Sequence, residues 1–126
     1  MHAYELLLVS EFTAEHRLKS ADGEYEPRHS HNWRVEVFLR STGDLDDAGV
    51  VADFQGLQHD ISKITEGLNN ERLDELSPFA ECNPSTELIA KHIHDRFAPA
   101  LPSSVRVSKV RVWETPRCAA AYVPLG

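Results

Sequence analysis

His29-Ser30-His31 sets two imidazoles two residues apart, and His16 can supply a third if the segments that carry them pair as a hairpin. In extended chain, residues i and i+2 point to one face, so His29 and His31 converge. Three neutral imidazoles leave one position of a tetrahedral zinc ion open, which is the arrangement of catalytic rather than structural zinc. An ion held so polarises a hydroxyl or carbonyl that reaches the open position. The chain carries its own control. His92-Ile93-His94 repeats the spacing inside a helical pattern, where i and i+2 stand about 200° apart around the axis and cannot grip one ion. Those two, with His59, are assigned to a solvated helix face.

The elements that must position the three ligands follow from the hydrophobic pattern. Tyr4 to Phe12 is rich in apolar and β-favouring residues, and Val35, Val37 and Leu39 alternate with charged neighbours, so two strands are predicted with His16 at the end of the first. Lys19 to His29, with Asp22-Gly23 and Pro27, reads as the loop between them. Asp53 is placed to cap a helix whose stripe is Phe54, Leu57, Ile61, Ile64 and Leu68. A second helix is predicted from Asn83-Pro84, with Pro84 at its first position and Ile89, Ile93 and Phe97 on one face. Val105 and Val107, then Val110 and Val112, change phase, which predicts a bulge near Ser108-Lys109 within one long strand, and Ala119 to Val123 reads as the last strand. The order ββααββ implies an α+β fold: a four-stranded antiparallel sheet with both helices on one face. The other face and the two edges are left for oligomerisation to cover.

Bulk composition narrows the partners. The 126 residues, 41% hydrophobic, are read as one domain spanning 1–126. Twenty acidic against 13 basic side chains give a net charge of −7, which repels a polyphosphate backbone and argues against nucleic acid. The apolar run Leu6 to Val9 is short and flanked by Glu5 and Glu11, so neither a signal peptide nor a membrane span is expected, and the location expected is cytoplasmic. Cys82 and Cys118 lie far apart in no metal-binding spacing and are assigned packing roles as reduced thiols.

Phe12-Thr13-Ala14-Glu15-His16-Arg17-Leu18 followed by His29-Ser30-His31-Asn32 resembles the zinc motifs of the 6-pyruvoyl-tetrahydropterin and 6-carboxytetrahydropterin synthase family. The resemblance continues through Val51-Ala52-Asp53-Phe54, Asn83-Pro84-Ser85-Thr86-Glu87 and Val112-Trp113-Glu114-Thr115, in the family's order along nearly the whole chain. It implies a tunnelling fold in which trimers close a barrel and two trimers meet as a hexamer, with pterin sites between subunits. It also implies that Glu114 anchors the pterin ring, a role that suits a carboxylate accepting two parallel hydrogen bonds from the guanidine-like edge. Thr86 and Glu87 are further substrate-side candidates, although an acidic residue in a helix's first turn also complements the macrodipole.

Two elements of the family pattern are replaced. The family's catalytic cysteine, four residues before the His-x-His pair, is Tyr25 here, and its Asp-His pair after the first helix is Asn69-Asn70. Glu26, three residues before His29, resembles instead a branch in which glutamate stands in for the cysteine and the dihydroneopterin triphosphate side chain is cleaved toward folate. A positioned carboxylate can serve as general base on a substrate hydroxyl. The expectation is therefore a zinc-dependent lyase of a dihydroneopterin phosphate, with Glu26 catalytic, Glu114 holding the ring, and Arg17, Lys19 and Arg28 available for phosphate. A zinc- and pterin-binding homologue without lyase activity is the alternative.

Overall fold

The computed structural model describes residues 1–126. Its elements are β1 (Glu5–His16), β2 (His29–Ser41), α1 (Phe54–Glu66), α2 (Thr86–Phe97), β3 (Val105–Thr115) and β4 (Cys118–Tyr122). The strands form one antiparallel sheet in the order β1-β2-β3-β4. The expected α+β layout is observed, with α1 resting on β1 and α2 on β3 and β4. No helix is long and apolar enough to cross a membrane.

Strict alternation builds the core. Leu8, Phe12 and Ala14 of β1, Trp33, Val35, Val37 and Leu39 of β2, and Val105, Val107, Val110 and Val112 of β3 are buried against Leu57, Ile61, Ile89, Ile93 and Phe97 of the helices. The phase change in β3 is the predicted bulge. Leu39 opposes Val107 and Phe38 opposes Lys109, so Ser108 is the extra residue, and its hydroxyl donates to the Phe38 carbonyl at 3.1 Å. Skipping one residue returns Val110 and Val112 to the core face.

Asp53 caps α1 as expected, its carboxylate accepting from the Gln55 and Gly56 N–H groups. Other expectations are corrected. Phe54 is exposed, so the buried stripe of α1 begins at Leu57. Pro84 lies ahead of α2: Ser85 is the cap, its hydroxyl accepting from Leu88 N–H, and Thr86 is the first helical residue. Cys82 and Cys118 are both exposed rather than packed, because one sits in the turn before α2 and the other opens β4 after a tight turn. His92 is half-buried against Phe79 and His94 lies 4.7 Å from the Tyr122 ring, so only His59 is exposed as assigned. The two flank buried Ile93, and each packs partly against a neighbouring element.

Candidate functional site

β1 and β2 end together, with His16 opposite His29 and Ala14 opposite His31. The alternation that buries Ala14, Trp33 and Val35 puts all three histidines on the helix-side face, and the same rule along β3 carries that face from Val112 to Glu114. Fully buried Trp33 forms the floor, 4.8 Å from the His16 ring and 5.4 Å from the His31 ring. One donor atom from each of His16, His29, His31 and Glu114 falls in a group within 4.8 Å of one another.

Second partners fix the rings. His16 is 2% exposed, and its Nδ1–H donates to the Pro84 carbonyl at 2.8 Å, a group that can only accept. Its Nε2 therefore presents a lone pair. That atom is buried without a hydrogen-bond partner although Glu114 Oε1 stands 2.9 Å away. His29 Nε2–H donates to Glu26 Oε1 at 3.2 Å, which turns Nδ1 inward to within 2.6 Å of His31 Nε2. His31 Nε2 is 3.5 Å from Glu114 Oε1. Inward lone pairs beside a carboxylate repel unless a cation lies among them, and outer hydrogen bonds to carbonyl or carboxylate are how metal-binding histidines are oriented. Burial pushes the His31 ring below its ordinary pKa against the pull of the Glu114 charge, and His29 and His16 add to the lowering, which favours the neutral ligand form. The residues present thus fit a zinc ion.

Glu26 stands at the rim, 41% exposed. Its Oε1 accepts from Leu18 N–H at 3.0 Å as well as from His29. The His29 hydrogen bond holds its carboxyl below the usual range, with burial acting the other way and the Leu18 contact adding to the lowering. Glu114, read from sequence as the ring anchor, lies within the imidazole cluster. Thr86 and Glu87 occupy the first turn of α2, half-buried and exposed respectively, two and three residues past the carbonyl that orients His16.

The two departures from the family pattern have structural work. Tyr25 is exposed, with the Arg17 guanidinium 3.9 Å over its ring. Asn69 Oδ1 accepts from Thr13 N–H at 2.9 Å, and Asn70, at φ 62°, donates its N–H to the Thr13 carbonyl. Asparagine tolerates this left-handed conformation better than most residues, and the pair covers the outer edge of β1 beside the site. Arg17 and Arg28 are committed to Asp74, leaving Lys19 as the one of the three suggested phosphate contacts without a salt bridge.

Sequence reasoning missed Asn83, Pro84 and Asp74. Asn83 clamps Lys19 through both backbone groups, at 2.7 and 2.9 Å. The Asn83-Pro84 pair was legible only as a helix start, and nothing local showed that it faces His16, 68 residues away.

The chain matches the family described as 6-pyruvoyl tetrahydropterin synthase over residues 5–124. It is 30% identical over 109 residues to a dihydroneopterin monophosphate aldolase of Pyrococcus furiosus, covering 86% of this chain and 88% of that one. It is 33% identical over 129 residues to a 6-pyruvoyl tetrahydrobiopterin synthase of Poecilia reticulata, covering 90% and 86%. Among solved structures, the 6-pyruvoyl tetrahydropterin synthase of Caenorhabditis elegans superposes with a TM-score of 0.83 at 24% identity, over 99% of this chain and 98% of that one. A Plasmodium vivax 6-pyruvoyltetrahydropterin synthase in which a catalytic glutamate is changed to alanine superposes with a TM-score of 0.75 at 21% identity, over 97% and 98%. These two structural likenesses bear on the fold, which is the tunnelling fold.

Proposed function

The chain belongs to the 6-pyruvoyl tetrahydropterin synthase family, and from that premise we propose that it is a zinc-dependent lyase that breaks the side chain of a dihydroneopterin phosphate. The observation that carries the reading is the convergence of three imidazoles and Glu114 with Glu26 hydrogen-bonded to one of those imidazoles. His16, His29 and His31 would hold the ion. Zinc so bound acts as a Lewis acid on side-chain hydroxyls and makes them easier to deprotonate.

The residues around it divide the remaining work. Glu26 takes the proton of a side-chain hydroxyl. The adjacent C–C bond then breaks, the hydroxyl carbon becomes an aldehyde, and the bonding pair enters the conjugated ring system. The same carboxyl returns the proton to the carbon left on the ring. The aldolase named for the Pyrococcus relative supports this class of reaction. Glu114 turns from His16 to the guanidine-like edge of the ring when pterin binds, and Thr86 and Glu87 border the substrate from α2. Trp33 closes the floor and keeps water from that side.

The setting proposed is cytoplasmic, and the assembly a homo-oligomer, a trimer or hexamer closing the barrel. β4 is an edge strand, and the outer edge of β1 is bridged by residues 69–72 only near its C-terminal end. Sedimentation should give the mass of a trimer or hexamer, and a stable monomer would break this part of the reading.

The second reading, a zinc- and pterin-binding homologue without lyase activity, is favoured by one observation: Asn69 and Asn70 serve the β1 edge where the family resemblance places an Asp-His pair. Incubating the zinc-loaded protein with dihydroneopterin monophosphate and triphosphate, and identifying products by mass, separates the two. A hydroxymethyl dihydropterin released together with a phosphorylated two-carbon aldehyde is expected from the monophosphate. Pterin bound and recovered intact would establish the second reading.

A further inference from the structure

We propose that Asp74 is a positioning residue for the metal centre, holding His16 and His29 in register through the two arginines that adjoin them in the chain. The proposal rests on the zinc reading above. The continuous β1–β2 ladder stops at His16 opposite His29; the next residues toward the loop are Arg17 and Arg28, and beyond them the two arms meet again at Leu18–Glu26 and Lys19–Tyr25. This is the loop end of the hairpin, and two ligands sit at the last pair before the ladder is interrupted.

Asp74 supplies the tie from the short 3-10 turn Leu73–Glu75. Its Oδ1 accepts from Arg28 Nη1 at 2.6 Å, and its Oδ2 from Arg28 Nη2 at 3.0 Å and Arg17 Nε at 3.1 Å. Both oxygens are used, and the side chain is 8% exposed. Burial works against the Asp74 charge, but the Arg28, Arg17 and backbone hydrogen bonds outweigh it and hold the carboxyl ionised below its ordinary pKa. The turn is itself fixed to the sheet, since Glu15 N–H donates to the Glu71 carbonyl at 3.0 Å and Glu15 bridges Arg72. One carboxylate, on a turn anchored to β1, therefore holds the side chains of the two residues that lie a single peptide away from two ligands. A buried ion group of this kind adds little net stability compared with apolar packing. Its bidentate geometry fixes direction, which a metal site needs.

The test compares wild type, Asp74→Asn, Asp74→Glu and Arg28→Lys as full chains. Zinc affinity is read by competition with a chromophoric chelator, ligand geometry by the visible spectrum of the cobalt(II)-loaded protein, and folding by circular dichroism. Asp74→Asn should lower zinc affinity roughly 10- to 100-fold, the scale for losing an orienting partner, and alter the cobalt spectrum. Asp74→Glu should recover part of the affinity. Arg28→Lys keeps the charge but loses the two-pronged contact, so it should move both readouts in the same direction by less, and it serves if Asp74→Asn does not fold. Folded variants with wild-type zinc affinity and an unchanged cobalt spectrum would overturn the proposal. So would a loss of thermal stability equal in loaded and chelated protein, the mark of a purely structural role. Wild type that binds no zinc would remove the metal reading and this proposal together, whereas wild type that binds zinc without turnover would remove only the lyase.

Discussion

Two stretches of the chain carry the same His-x-His pattern, one opening β2 and one inside α2, and their side chains end in different surroundings. The His29 and His31 rings lie 4.7 Å apart with ring nitrogens facing, and His16 joins them from the paired strand. His92 turns to Phe79 and His94 to Tyr122 and Asp95. The spacing is identical, so the difference comes from the backbone: a period of two brings i and i+2 to one face, and a period of 3.6 sends them apart. A metal motif of this kind is informative only after its secondary structure is known.

The comparison breaks most sharply at the metal. Purified protein should carry about one zinc per chain, and His29→Ala or His31→Ala should weaken binding by more than the roughly 10- to 100-fold expected for an orienting partner. His92→Ala and His94→Ala should keep wild-type zinc content. Metal analysis after dialysis decides it, and the reverse pattern would transfer the site to α2.

Within the strand-borne site, the two carboxylates should fail differently. Glu26→Gln keeps shape and loses the titrating group, so turnover should drop about 100-fold or more with pterin affinity within a few-fold. Glu114→Ala removes a charged acceptor, and pterin binding should weaken by about 2–3 kcal/mol, roughly a hundredfold. Both variants keep three imidazoles and should keep zinc. Single-turnover kinetics and equilibrium titration distinguish these outcomes, and full activity in Glu26→Gln would place the base elsewhere.

The smallest effect belongs to the helical pair and is one of stability. Burial, helped by the Arg96 charge and opposed by Asp95, lowers the His92 pKa below its ordinary 6.5. The unfolded ring therefore takes up a proton first as pH falls, and stability is lost from near the ordinary value downward. Thermal unfolding of zinc-loaded wild type and His92→Gln between about pH 7 and pH 5 should show a slightly steeper acid loss in wild type. Equal slopes would mean that the Phe79 contact does not shelter the ring.

What could be read without coordinates was local. Alternation in β2 assigned His29 and His31 to one face, with His16 able to join them if the strands paired, the valine phase change placed the bulge near Ser108-Lys109, and Asp53 was recognised as a cap, because each depends chiefly on neighbours a few residues away. The Phe54 and Pro84 assignments missed because a helix's first turn is decided by what lies beside it: the stripe buries only where the sheet covers it, and Ser85, by accepting the Leu88 N–H, starts the helix at Thr86 and leaves Pro84 ahead of it rather than at its first position. The rest of the site came from contacts between distant segments. Arg17 meets Asp74 across 57 positions, Arg28 meets it across 46, and His16 meets the Pro84 carbonyl across 68. No periodicity encodes such meetings. They arise when the segment from Leu73 to Pro84 docks against the loop end of the β1–β2 hairpin, and only that docking turns three histidines on one face into imidazoles whose lone pairs point at a common centre.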